Sequence, residues 1–222
     1  MKVIISERQY KLLTEDKDRK ILKLPSVEVF GGWEGLQAYL NKKGNPLFSI
    51  NGSLNFEGTD IEYLDNLVSV GGNLYLWGSP IKSLGNLKSV GGYLYLSKAP
   101  IQSLGNLEYV GDSLYLDRTP IKYLDNLVSV GGGAYIRNTN ITSLDNLKYV
   151  GGKLNLLRTP IKSLNNLESV GGDLNLLGTE IESLGNLESV GGYLDLSDTP
   201  LSKTTTEEEI RNQVKVKGQI YL

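Results

Sequence analysis

The chain has 222 residues, 40% of them hydrophobic and 22% charged, with a formal net charge of −2; this balance supplies no global attraction to nucleic acid or to an anionic membrane. Cysteine and histidine are both absent, which removes disulfides, Ser-His-Asp and Cys-His catalysis, and the usual zinc, haem and iron–sulfur ligand sets. The opening MKVIISERQYKLL does not read as a secretory signal and no run reaches membrane-span length, so a cytoplasmic protein with no membrane, metal or cofactor dependence is expected.

In chain order, Lys2–Ile5 suits a strand, and Ser6 with Gln9 resembles a capping box for a short helix over Glu7–Thr14. The stretch 15–20 is charged and expected at the surface. Trp33, Leu36 and Leu40 have helical spacing and predict a cap helix over Trp33–Asn41. The following NPLFSING enters a repeat frame at Ile50 and Gly52. Residues 1–52 therefore read as a strand/helix segment and N-terminal cap.

A 20-residue repeat then runs without insertion or deletion over residues 53–201, giving seven full units and the start of an eighth at Tyr193. A strict short period means a solenoid, in which each unit stacks on its neighbours. In the unit Ser113–Gly132, Leu114 and Leu116 alternate with Ser113, Tyr115 and Asp117, the period of a strand with its leucines inward. Thr119-Pro120 closes the strand, because Pro cannot donate to a ladder. Ile121, Leu124, Leu127 and Val130 follow at steps of three, which suits a 3₁₀ or extended return path. Gly131-Gly132 predicts a sharp turn with positive φ. Six apolar side chains point inward per coil, each contributing roughly 1.5–3 kcal/mol when buried.

Two polar columns read as structural. Asn66, Asn86, Asn106, Asn126, Asn146, Asn166 and Asn186 predict an inward stack that bonds backbone groups of its own and adjacent coils. Thr59, Ser79, Thr119, Thr139, Thr159, Thr179 and Thr199, with Ala99 as the exception, predict the same service at the strand end. Mixed charges along the return path read as a solvated face.

In residues 202–222, Thr205 with Glu208 predicts a capping box opening a helix over Thr206–Val214, and Glu207–Glu209 suits the positive end of its dipole. GQIYL restores the strand pattern with Ile220 and Leu222 inward. The last coil thus reads as a repeat with a helix inserted, a C-terminal cap whose edge strand offers a route to a homodimer.

The spacing Leu114-x-Leu116-x-x-Thr119-x-Ile121-x-x-Leu124-x-x-Leu127 resembles a leucine-rich repeat, with Thr where Asn is commonest, and the Ser-Leu-x-Asn-Leu-x-x-Val-Gly-Gly phrase resembles repeats of the receptor L-domain type. The resemblance implies a right-handed solenoid with one parallel sheet and a role in ligand or protein recognition. Twenty residues leave no room for a long convex-side helix, and the disulfide caps of secreted relatives cannot form. The opening residues also resemble the start of many tailed-phage proteins, which implies a viral origin and a host-cytoplasm location.

Function is expected on the outward strand positions, whose central column reads Asn55, Tyr75, Tyr95, Tyr115, Tyr135, Asn155, Asn175, Asp195 and Tyr221. Four consecutive tyrosines at a strand spacing of about 4.8 Å would cover roughly 14 Å. Trp77 and Tyr93 flank them, and Lys98, Arg118, Arg137 and Arg158 lie just past the strand ends. The candidate binding residues are Tyr75, Trp77, Tyr93, Tyr95, Tyr115, Arg118, Tyr135 and Arg137, because Tyr, Trp and Arg dominate interface hot spots. An aromatic ladder that only shields the sheet is the alternative. The leading expectation is a non-enzymatic scaffold for a protein partner. Glycan or single-strand binding by the same face comes second, with Asp117 and the net charge arguing against nucleic acid. No catalytic residues are expected: Asp117, Asp195 and Glu57 have no acidic neighbour one coil away in the same column. Self-assembly is a further alternative.

Overall fold

A computed structural model describes residues 21–222. The expected strand Lys2–Ile5 and helix Glu7–Thr14 lie outside the described residues. What is described is a parallel β-solenoid with coils of about 20 residues.

Two parallel sheets form, not one. The first has ten strands: β1 (Leu22–Leu24), β2 (Phe48–Ile50), β4 (Leu67–Val70), a two-residue strand every 20 residues from β6 (Ser89–Val90) to β16 (Ser189–Val190), and β18 (Lys215–Val216). The second has nine, from β3 (Leu54–Asn55) through β5 (Leu74–Tyr75), β7 (Leu94–Tyr95), β9 (Leu114–Tyr115) and β11 (Ala134–Tyr135) to β17 (Leu194–Asp195) and β19 (Ile220–Tyr221). Register advances by one repeat per coil: Tyr95 opposes Tyr115, and Val110 opposes Val130. The return path is extended where it reaches Val130, so its backbone pairs with its own copies and makes the second ladder. A third row of isolated bridges (Tyr63 with Ser83, Ser103 with Tyr123, Ser163 with Ser183) marks the remaining side of the coil.

The core follows the repeat. Leu114, Leu116, Ile121, Leu124, Leu127 and Val130 are all buried, and one continuous apolar cluster runs from Leu24 to Val216. The glycine pairs serve close approach, not a positive-φ turn. A Cβ on Gly131 would lie 2.2 Å from the carbonyl oxygen of Gly111, and the same column repeats this clash in neighbouring coils. Positive φ recurs instead in two other columns: one just after each strand of the second sheet, including Gly78, Lys98, Arg118, Asn138, Arg158 and Gly178, and one on the return path, at Asp65, Gly85, Gly105, Asp125, Asp145, Asn165 and Gly185.

The asparagine column faces outward rather than inward, yet it does bridge coils. Nδ2 of Asn106, Asn126, Asn146 and Asn166 donates to the carbonyl 21 residues back, at 2.7–2.9 Å. Buried Thr119, Thr139, Thr159, Thr179 and Thr199 each donate to the carbonyl three residues back, closing the turn.

Helices lie towards both ends. Helix α1 (Trp33–Lys42) buries Leu36 and Leu40, and Trp33 packs edge-on against Phe56 at 4.9 Å. Helix α2 (Glu207–Gln213) begins one residue later than expected: Thr206 is the N-cap, accepting from Glu209 N, while the Glu209 carboxylate accepts from Thr206 N. A strand of the first sheet follows it, so that Ser189 pairs with Lys215, a step six residues longer than the usual repeat.

Candidate functional site

The outward face of the nine-stranded sheet is set by the pleat. Leu94 and Leu96 go into the core, so Tyr93, Tyr95 and Ser97 must face out. Parallel in-register pairing then brings identical columns together. Tyr75, Tyr95, Tyr115 and Tyr135 stack with ring centroids 5.1, 4.4 and 4.9 Å apart and interplanar angles of 11°, 3° and 6°. Each ring leans along its strand towards the residue two positions earlier: Asn73 Nδ2 donates to Tyr75 Oη at 2.8 Å, and the Tyr135 ring lies over Gly133. Tyr93 tilts against Tyr95 at 5.8 Å. Because the rings stack on each other, the inner faces are occupied and the ladder offers edges and hydroxyls to solvent.

The rest of the column shows what tyrosine displaces. Asn55, Asn155, Asn175 and Asp195 each accept a bond from the N–H two residues on, at 2.9–3.1 Å. This Asx turn leads the chain into the positive-φ residue that follows. The four tyrosines cannot make that bond. Two residues beyond the last rung, the N–H finds a substitute: Arg137 N donates to Asp117 Oδ1 of the previous coil at 3.1 Å.

The cations line one flank. Arg137 Nε donates to Asp117 Oδ2 at 2.8 Å, so its orientation is fixed by a neighbouring coil. Lys98 Nζ sits 5.0 Å from the centre of the Trp77 ring, which is 43% exposed. Arg118 and Arg158 make no ion pair among the described residues. Lys98, Arg118 and Arg158 all occupy the left-handed region (φ 64°, 59° and 55°), in a column otherwise held by Gly, Asn or Asp. A side chain there costs about 1–2 kcal/mol, and such strain concentrates at functional positions.

Burial raises the Tyr115 phenol above its ordinary pKa, with the Tyr95 and Tyr135 hydroxyls pushing the same way. The Asp112 carboxylate raises Tyr93. Of the eight sequence-derived residues, Tyr75, Tyr93, Tyr95, Tyr115 and Tyr135 are in mutual contact on this face, Arg137 is tied to Asp117 beside it, Trp77 meets Lys98, and Arg118 lies in the turn just past its strand. A second cluster, absent from the candidate residues, lies beyond the ladder, where Lys153 Nζ donates to Tyr193 Oη at 2.8 Å, lies 3.8 Å from Asp173, and Tyr193 meets Tyr221 edge-on at 5.8 Å. Its signal in the sequence is the column Lys153, Asp173, Tyr193, two residues before the column of Asn155, Asn175 and Asp195.

A notch of about 350 Å³ between Tyr123, Asp125, Asn126, Asp145 and Asn146 lies elsewhere on the coils. Its carboxylates are engaged: Asp125 Oδ2 accepts from Ser103 Oγ and Gly105 N, and Asp145 Oδ2 from Leu124 N and Asp125 N. Among the described residues no cluster of three His, Cys, Asp or Glu could hold a metal, and no helix is long and apolar enough to cross a membrane. No family model matches the chain, and neither the curated proteins nor the solved structures contain a significant match to it.

Proposed function

We propose that this chain is a non-enzymatic protein-binding scaffold of leucine-rich-repeat type, and that Tyr75, Tyr95, Tyr115 and Tyr135 form the centre of its recognition face. The observation that carries this reading is the local sacrifice along the ladder. Each tyrosine occupies a position where Asn or Asp would make a strand-ending hydrogen bond, and two cations in the ladder's own coils, Lys98 and Arg118, accept a strained backbone. Stacking compensates in part, since each stacked aromatic pair contributes about 0.5–1.5 kcal/mol. Rigid tyrosines also bring large contact area at little entropic cost on binding. Arg137, held by Asp117, orients the partner, while Trp77, Tyr93 and Arg118 extend the contact. The phage-like opening suits a viral protein that engages a host defence protein in the host cytoplasm.

Mutual stacking of the rings argues against the glycan and single-strand alternative, which needs free aromatic faces. The test is affinity capture by the tagged chain from a lysate of its host, with Tyr95→Ala/Tyr115→Ala alongside. A partner held by the parent and lost by the folded variant supports the reading; a partner held equally by both refutes it.

A further inference from the structure

Strand β18 is the terminal strand of the ten-stranded sheet. In each earlier coil, three carbonyls on this side receive the next coil; Glu168 O and Glu188 O are the first of the three, accepting from Glu188 N and Lys215 N at 2.8 and 2.9 Å, and the other two lie further along the strand. Val170 O accepts from Gly191 N at 2.8 Å and Gly172 O from Gly192 N at 2.9 Å; one coil on, Val190 O and Gly192 O accept from Lys217 N and Gly218 N at 3.0 and 2.9 Å. The equivalents of these last two acceptors in the terminal coil are Val216 O and Gly218 O. Both are taken by a single side chain. Arg211 of α2 donates from Nη1 to Val216 O at 2.9 Å and from Nη2 to Gly218 O at 3.0 Å, while its Nε donates to Glu207 Oε1 at 2.8 Å.

The guanidinium therefore stands where the two N–H groups of a further coil would stand. Arg is suited to this, because its donors form a rigid planar fork and do not depend on pH. The six extra residues before β18 accommodate the helix that carries it, and the Thr206–Glu209 capping box fixes the start of that helix.

We propose that Arg211 is a terminator that closes this sheet edge against a second copy of the chain. The occupant follows from the repeat: the edge carries the same acceptor pair on which this chain's own coils assemble, one after another. A bare parallel edge of this kind is a template for pairing with a further chain that brings N–H donors to it. The inference concerns the end of the array and is independent of the tyrosine face.

The test compares the full chain with Arg211→Ala, Arg211→Lys and Glu207→Gln by light scattering and sedimentation over a wide range of protein concentration. The expected result is a monomeric parent, a monomeric Glu207→Gln, which keeps both carbonyl contacts, and a folded Arg211→Ala that forms dimers or larger species as concentration rises. Arg211→Lys, able to reach one carbonyl at a time, falls between. A folded, monomeric Arg211→Ala would overturn the proposal and leave Arg211 as a mere tether for α2. If Arg211→Ala does not fold, Arg211→Lys decides, and a monomer there overturns it equally. Self-association of the parent at the level of the variant would also overturn it.

Discussion

Gly131→Ala puts the stacking geometry under the most direct strain. The added Cβ would sit 2.2 Å from the Gly111 carbonyl oxygen and 3.0 Å from its carbon. A contact of ordinary length requires the coils to part by about 1 Å locally, and packed interiors resist such a shift. That movement stretches Gly131 N to Val110 O (2.8 Å) and Gly132 N to Asp112 O (3.0 Å) beyond bonding. Two lost bonds at about 1 kcal/mol each, with about 1–3 kcal/mol of overpacking strain, give a loss of about 3–5 kcal/mol. Gly178→Ala is the matched control. Its φ is +65°, and its nearest neighbour would be Arg158 Cγ at 3.5 Å, a side chain that can move. The left-handed penalty of about 1–2 kcal/mol is offset in part by the smaller entropy of unfolded Ala, leaving a loss of about 1 kcal/mol. Urea and thermal unfolding followed by circular dichroism rank the two. A Gly131→Ala variant no less stable than Gly178→Ala would refute the close-approach account. The chain itself is consistent with it: side chains enter this column only towards the ends, at Asn51 and Lys217.

Further outcomes follow from the same geometry. Arg118→Gly relieves a left-handed residue at φ 59° and should raise stability by about 0.5–1 kcal/mol, while weakening partner capture; a melting temperature that falls would contradict the strain assignment. The raised Tyr115 pKa gives a signed pH dependence. A phenol whose folded-state pKa exceeds its unfolded value contributes stability that is complete below about pH 10 and is lost as pH rises through the folded value. Tyr115→Phe should therefore lose less stability than the parent in alkaline melts; matching losses in the two proteins would contradict the burial of that ring.

Much of this architecture was legible in the sequence because a repeat states the same fact many times. The period, the six inward positions per coil, the tyrosine stack and the α1 cap all followed from spacing. What escaped depends on backbone geometry between coils. Step-of-three hydrophobics from Ile121 to Val130 gave no sign that Val130 would pair with its own copies in a second sheet. Gly131-Gly132 suggested a turn because glycine permits positive φ, whereas the constraint was the carbonyl one coil back. A polar, recurrent Asn126 suggests an inward stack, yet an outward amide reaches the neighbouring coil's Gly105 carbonyl equally well. The strained cations were hidden for the opposite reason, since Lys98 and Arg118 are unremarkable until Gly78 and Gly178 are seen to share their column. Thr206 and Thr205 are each followed three residues later by Glu, so the capping box could not be placed to a single residue from spacing.

The most direct test of the recognition face replaces Tyr95 and Tyr115 with Asn, the residue the same column already carries at Asn155 and Asn175. These variants can recover the local bond to the N–H two residues on, so the fold should persist with a circular dichroism spectrum and melting transition close to the parent's. Side-by-side affinity capture with parent and variant is then decisive. The account predicts a partner retained by the parent and lost by Tyr95→Asn/Tyr115→Asn; equal retention by both would show that the ladder serves the sheet alone.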